Sequence, residues 1–251
     1  MALVQRRLAE TSDHRRRRQA VLEAAAIQPG EKVLEIGCGG GALLPAFAAA
    51  AGRTGRVVGI DISPDQIAAA KAVCGGSEIA TAEIQDVNQL PYENASFDVV
   101  VGVQVLEYLE QPAKALSELR RVCSDHGRLF VFATNWDTMF WNCGVPELTA
   151  RVQAAWREHA PHPNLAAELR PLLNEAGFRM VHQSPVTLLN NTYHEDACAY
   201  WAAELILAFA KGRGLVSAAD AERWRSALQE AQASGTFFFS TTPVLTMAIA
   251  A

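Results

Sequence analysis

The stretch Lys32-Val33-Leu34-Glu35-Ile36-Gly37-Cys38-Gly39-Gly40-Gly41 constrains this chain more than any other. A short run of apolar, strand-forming residues ends in an acid and a cluster of glycines, and a helical run over 42–51 follows directly. Strand, glycine turn and helix in that order let main-chain N–H groups and a helix N-terminus approach a polar ligand, since no side chain holds it off the backbone. The turn therefore reads as a binding site, and the open question is the ligand.

The alternation continues downstream. A strand over 57–61 leads to Ser63-Pro64, an N-cap followed by proline at the first helical position, opening a helix over 65–73. Strands are expected over 79–86 and 97–103, the second apolar enough throughout to be a buried parallel strand. An amphipathic helix over 112–123 and a fifth strand over 127–133 follow. Such repeated βα units imply a parallel, doubly wound sheet with ligands at the carboxyl ends of its strands. Beyond residue 135 the character changes. Trp136, Phe140, Trp141 and Trp156 crowd a segment expected just past the fifth strand. A helix over 165–176 stops at Gly177. A sixth strand is expected over 178–188, helices over 196–211 and 217–233, and a last strand over 237–249. The helices between the last two strands read as an inserted lid.

Before the first strand, residues 3–27 read as helix, with Leu3, Leu8, Val21, Leu22 and Ile27 as scattered apolar positions and Ser12 or Asp13 able to cap a second segment. The run Arg15-Arg16-Arg17-Arg18 invites an anionic partner, yet the chain carries a formal charge of -5. A solvated helix face is the favoured reading, and no nucleic-acid partner is expected. The five cysteines are scattered, odd in number and never in a CxxC pair. That suits a reducing compartment with free thiols, and no metal site is expected. The N-terminus lacks a signal-peptide core and no stretch is long enough to cross a bilayer, so a cytoplasmic location is the expectation. With 251 residues, half of them hydrophobic, the chain can bury a full core as one large domain.

Two ligands compete for the glycine turn. Gly37-Cys38-Gly39-Gly40-Gly41-Ala42 satisfies the loose dinucleotide pattern GxGxxA, with Asp61 about twenty residues on for a ribose. Against this, Glu35 would repel a pyrophosphate, whereas it suits a ligand carrying positive charge near the turn. Gln85-Asp86-Val87 ends the third strand with a second acid placed to receive an amine hydrogen bond.

With these residues in view, the sequence resembles the class I S-adenosylmethionine-dependent methyltransferases, of the small-molecule group that includes the ubiquinone/menaquinone methyltransferases. The matching segments are 33–41, Gly59-Ile60-Asp61-Ile62-Ser63, Gln85-Asp86-Val87, Ser96-Phe97-Asp98-Val99-Val100 and Val105-Leu106-Glu107-Tyr108, in the family's order. The resemblance implies a Rossmann-like sheet of seven strands, the last antiparallel, with S-adenosylmethionine as cofactor. Glu35 and the turn containing Gly37, Cys38, Gly39 and Gly41 would hold the methionine end. Asp61 would bind the ribose hydroxyls, Ile62 would pack on adenine, Asp86 would accept from the adenine amino group beside Val87, and Gln104 would line the far side through its backbone. Many relatives carry His where this chain has Tyr108, a position near the cofactor mouth. The organisation implied is a single domain over 1–251: helices over 1–29, a cofactor-binding core over 30–135, and acceptor-side or lid segments over 136–177 and 190–235.

Methyl transfer from a sulfonium is an in-line displacement needing alignment and exclusion of water, with a base optional. Candidate acceptor-side groups are therefore Tyr108, Trp136 and Trp141 as rings, and His162 and Tyr193 as catalytic groups. Trp136 and Trp141 can equally be lid core. The function expected is methylation of a small, aromatic or apolar molecule, with a homodimer allowed. The alternatives are an NAD-dependent oxidoreductase and a repurposed S-adenosylmethionine-binding protein without transfer.

Overall fold

The computed structural model describes residues 2–251. Met1 and the Leu3 side chain, both within the expected N-terminal helical segment, lie outside the described residues. In chain order the elements are α1 (Ala2–Glu10), α2 (Ser12–Ala25), β1 (Lys32–Ile36), α3 (Leu44–Ala51), β2 (Arg56–Asp61), α4 (Pro64–Cys74), β3 (Ala80–Ile84) and β4 (Phe97–Val103). A short 3-10 turn (Leu106–Tyr108) precedes α5 (Pro112–Val122), β5 (Cys123–Asn142), α6 (Pro146–Arg157), α7 (Leu165–Glu175), β6 (Phe178–Pro185), β7 (Leu188–Asn190), α8 (Cys198–Gly212), α9 (Ala218–Ala233) and β8 (Phe238–Ala250).

The sheet order is β3-β2-β1-β4-β5-β8-β6, with β7 also on β8. Strands β1 to β5 pair in parallel, and β8 runs antiparallel to β6 and β7. The doubly wound sheet and its antiparallel last strand are as expected. An eighth strand arises because the expected sixth divides: Pro185 ends β6 and β7 resumes at Leu188. Proline cannot donate to a ladder, so a break there is natural.

Two compact units are present. One comprises Ala20–Ala133, Asn164–Pro185 and Val244–Ala251. Its core sets Leu34, Ile36, Val58, Ile60 and Val100 against Leu116 and Leu119 of α5 and Leu169 and Leu173 of α7. These strand residues alternate with Val33, Glu35, Val57 and Gly59, which by strand periodicity face the other side of the sheet. Helix α4 begins as expected, Ser63 Oγ accepting from Gln66 N with Pro64 in the first turn. Helix α3 begins at Leu44 instead of Ala42. Pro45 explains this: it has no N–H to donate and is tolerated only in a first turn.

The other unit comprises Met1–Gln19, Thr134–Pro163 and Val186–Pro243. Its core is aromatic, built on Trp141, Trp156, Trp224, Phe237 and Phe239. The fifth strand runs well past the expected residue 133, to Asn142. Towards its end it alternates cleanly, Met139 and Trp141 buried and Phe140 and Asn142 exposed, which is the signature of a half-covered strand. Helix α6 is an element the sequence reading left unassigned.

Candidate functional site

The sheet order reverses between β1 and β4, and ligands of open α/β sheets bind beyond the strand ends at such a switch point. A cavity of about 380 Å³ opens there. Its wall begins at Gly37, where β1 ends. Gly37 adopts φ +56°, and a Cβ on it would lie 2.3 Å from Val105 Cγ2. Gly41 has φ +78°, and a Cβ there would meet Ala70 Cα at 2.9 Å. The turn thus packs tightly against the segment after β4 on one side and α4 on the other, and glycine is needed at both positions.

The acids expected to hold a nucleoside are at hand. Asp61 ends β2 on the cavity wall. Its Oδ2 accepts from Gly39 N at 3.0 Å and its Oδ1 from Ser63 N at 2.9 Å. The carboxylate therefore ties the glycine turn to the start of α4, and each oxygen keeps a lone pair for a further donor. Next to it Ile62 is 73% exposed, an apolar side chain that nothing covers for a structural reason. Past β3, Asp86 Oδ1 accepts from Asn88 N and Nδ2, both at 2.9 Å, while Val87 is buried; all three residues line the cavity.

Gln104 closes the wall beyond β4. It holds φ +54°, a conformation that costs a residue with a side chain, and its N–H donates to Phe132 O at 2.7 Å. Tyr108, 42% exposed, stands on the same wall. Sequence reasoning did not single out Gln85, Asn88, Val105 and Leu109 as lining residues. Gln85 and Asn88 flank an acid that was singled out, so their position was a usable signal. Val105 opens a segment that matched the family, which was also a usable signal, whereas Leu109 enters through the fold of the loop after β4, which leaves no local mark.

Glu35 and Cys38 sit beneath the turn. Glu35 is buried, its Oε2 has no hydrogen-bond partner, and burial pushes its carboxyl up to about 8. A neutral carboxyl at pH 7 resolves the cost of leaving a charge there unpaired. Cys38 is also buried; a Cβ on Gly59 would lie 2.9 Å from its Sγ, so a glycine on β2 makes room for the thiol. Burial first, then the neighbouring Glu35 and Asp61, push that thiol well up, so it is no nucleophile.

The remaining acceptor-side candidates belong to the aromatic unit. Trp136 is half-buried and packs edge-on against Trp156 and His159, ring centroids 5.6 and 4.8 Å away. Trp141 is buried against Phe239 at 4.3 Å and Trp224 at 5.2 Å. Tyr193 is buried between Tyr200 and Phe237, and burial foremost raises its phenol. His162 is half-buried in the Pro161–Pro163 loop. His159, stacked on Trp156 at 3.7 Å, is held neutral, its imidazole pushed down to about 4 by burial.

Comparison with known proteins bears on the same segments. A methyltransferase domain family matches residues 34–131. An uncharacterized 37.1 kDa protein of a Streptomyces fradiae transposon is 30% identical over 94% of this chain and 67% of its own length. The ubiquinone/menaquinone biosynthesis C-methyltransferase of Burkholderia vietnamiensis is 34% identical, over 50% of this chain and 53% of that enzyme. The chain thus spans about half the length of that curated methyltransferase. A Bacillus halodurans structure solved as a candidate methyltransferase shares the fold, with a TM-score of 0.63 at 19% identity over 92% of this chain and 97% of its own. These likenesses favour the sulfonium reading of the glycine turn over the dinucleotide one. The chain belongs to the class I S-adenosylmethionine-dependent methyltransferases.

Proposed function

We propose that this chain transfers the methyl group of S-adenosylmethionine, in line, to a small aromatic or apolar molecule. The observation that carries the proposal is the pairing at one cavity of two carboxylates with lone pairs to spare, Asp61 and Asp86, with a glycine turn so closely packed that a Cβ at Gly37 would collide with Val105. The donor set fits a nucleoside with a cationic end. Asp61 would accept from the ribose hydroxyls and Asp86 from an exocyclic amine, while Ile62 and Val87 would cover the base. The main chain at Gly37 and Gln104 would meet the methionine portion, with Glu35 behind it.

When bound, the cofactor supplies a methyl carbon on positively charged sulfur. The protein's part is to orient that carbon, to keep water away and to offer the acceptor a surface. Tyr108 at the cavity wall is the proposed ring for that surface; an aromatic face also suits a cationic methyl group. In the aromatic unit, packing leaves Trp136 half-exposed, whereas Trp141 and Tyr193 are engaged with their own core. A phenol raised by burial does not act as a base at neutral pH, so Tyr193 is not proposed as one. The curated relatives are named for ubiquinone and menaquinone biosynthesis, which supports an aromatic acceptor.

The test is a single-turnover assay with methyl-labelled S-adenosylmethionine and a metabolite extract, read by mass spectrometry of the labelled product. Asp61→Ala should abolish cofactor binding by titration calorimetry. Unchanged binding would remove Asp61 from the site, and binding without any labelled product would favour a repurposed binding protein.

A further inference from the structure

The carboxyl group of Glu35 is an anomaly that a simple contact with the cofactor does not resolve. It projects from the last turn of pleat in β1, two residues before Gly37 reaches the cavity wall, yet it is only 4% exposed and its Oε2 has no partner. In β1 it lies in register with Gly59 of β2 and Val101 of β4, so neither neighbouring strand offers it a counter-charge. The titratable groups that sense it are Cys38 in the turn and Cys74 on α4, both thiols raised by burial. Asp61, at the end of β2, adds further negative charge at Cys38. Helix α3, which packs on β1, carries no titratable side chain. Neither the paired strand positions nor α3 gives Glu35 a counter-charge, and the one cation of α4, Lys71, is exposed.

Resting on the cofactor reading above, we propose that Glu35 is protonated while the glycine cradle is empty and releases that proton to solvent when the cationic cofactor seats, so that capture is proton-coupled. The O–H bond of the carboxyl breaks, the proton passes to buffer, and the resulting carboxylate faces the incoming positive charge across the turn. The thioether left after methyl transfer carries one positive charge fewer. It gives Glu35 less reason to stay ionised, and reprotonation then accompanies product release. Glu35 is a positioning residue here, acting through charge behind the cradle and not as a wall of the cavity.

Proton linkage gives the sign. Burial lifts the carboxyl to about 8, so at pH 7 about 0.9 of a proton is bound before the cofactor arrives. Affinity should therefore tighten by up to about tenfold per pH unit below pH 8 and level off above it. The experiment is titration calorimetry of the full chain with S-adenosylmethionine and with S-adenosylhomocysteine, in phosphate, HEPES and Tris at pH 7.0 and 8.8. The slope of observed heat against buffer ionisation heat counts the protons released. Release close to one at pH 7.0, falling at pH 8.8, smaller for the thioether and absent in Glu35→Gln, is the expected result. A zero slope for the wild-type chain at pH 7.0, or an equal slope in Glu35→Gln, would overturn the proposal. Should Glu35→Gln not fold, the wild-type pH dependence and the sulfonium–thioether difference decide alone: a slope that is the same at both pH values and for both ligands overturns it. Binding with zero slope sinks this inference and leaves the cofactor reading standing, whereas no binding heat in any buffer sinks both.

Discussion

Gly37 is the residue whose replacement by the smallest side chain meets the closest obstacle, 2.3 Å from Val105 Cγ2, in a backbone conformation that L side chains rarely adopt. Both effects act together in Gly37→Ala. Overpacking of this kind costs about 1–3 kcal/mol, and the left-handed conformation adds about 1 kcal/mol. The expected outcome is a chain destabilised by about 2–4 kcal/mol in urea unfolding, with cofactor affinity reduced at least about tenfold as the turn shifts. Adding Val105→Ala should return the steric part and not the conformational part, so the double variant should fall between the two. A Gly37→Ala chain of wild-type stability and affinity would show that the cradle is not tight. The glycine pattern made this position legible in advance, and so did the acids Glu35 and Asp61, because their residue types are unusual at a strand end. The obstacle itself was not legible. Val105 is distant in sequence and meets Gly37 only because β1 and β4 lie side by side.

Helices and strands were readable wherever local pattern and local partners coincide. The helix at α4 announced itself by Ser63-Pro64, and α9 by Ser217, whose side chain accepts from Asp220 N. Helix α8 shows the opposite case. It opens at Ala197 without a side-chain cap of its own. Its first N–H groups are instead served from far away: Cys198 N donates to Asp13 Oδ2 at 2.8 Å and Ala199 N to Asn190 Oδ1 at 3.1 Å. Asn190 Nδ2 also donates to Asp13 Oδ2 at 2.8 Å, and Arg16 pairs with the same carboxylate. Burial raises the Asp13 carboxyl, but these donors outweigh it and hold the group below its ordinary value. The arginine run is thereby partly consumed inside the unit, Arg16 on Asp13 and Arg15 on Asp196 at 3.4 Å. Asp13→Ala would strip a cap and leave buried donors unsatisfied, each such group costing about 1–3 kcal/mol. A loss of about 2–4 kcal/mol in chemical denaturation is expected, with faster hydrogen exchange at Cys198 and Ala199. A loss below about 0.5 kcal/mol would mean the remote cap is dispensable. Because a lowered carboxyl contributes stability only above its unfolded value near 3.8, the wild-type advantage should fade as pH drops below about 4.

The first half of the molecule was legible as a whole because β1, β2 and β4 are each followed by a helix before the next strand, so the alternation along the chain largely mirrors the alternation in space, while β3 passes to β4 without one. The aromatic unit draws on three separated stretches, 1–19, 134–163 and 186–243, and no local pattern reveals that such pieces share a core. Its Trp141 is a case in point: a tryptophan after a parallel strand suggests a ligand platform, and only the return of Phe237 and Phe239 from the far end of the chain makes it core. The cofactor cavity, by contrast, collects four stretches that each lie at or just beyond the end of a strand of one sheet: Gly37, residues 60–62, residues 85–88 and residues 104–109. That discontinuity yields a prediction at the scale of the fold. A ligand that binds only the folded protein stabilises it by mass action, about 2.7 kcal/mol at one hundred times its dissociation constant. S-adenosylmethionine should then slow hydrogen exchange in all four stretches together, although they are separated by up to about seventy residues, because one molecule bridges them. A surface-bound molecule would protect one stretch at most. Concerted protection read by exchange mass spectrometry, and lost at all four stretches in Asp61→Ala, would mean that these strand ends act as one site. Protection confined to the glycine turn would mean that the nucleoside half of the ligand lies elsewhere, and the roles given to Asp61 and Asp86 would fall.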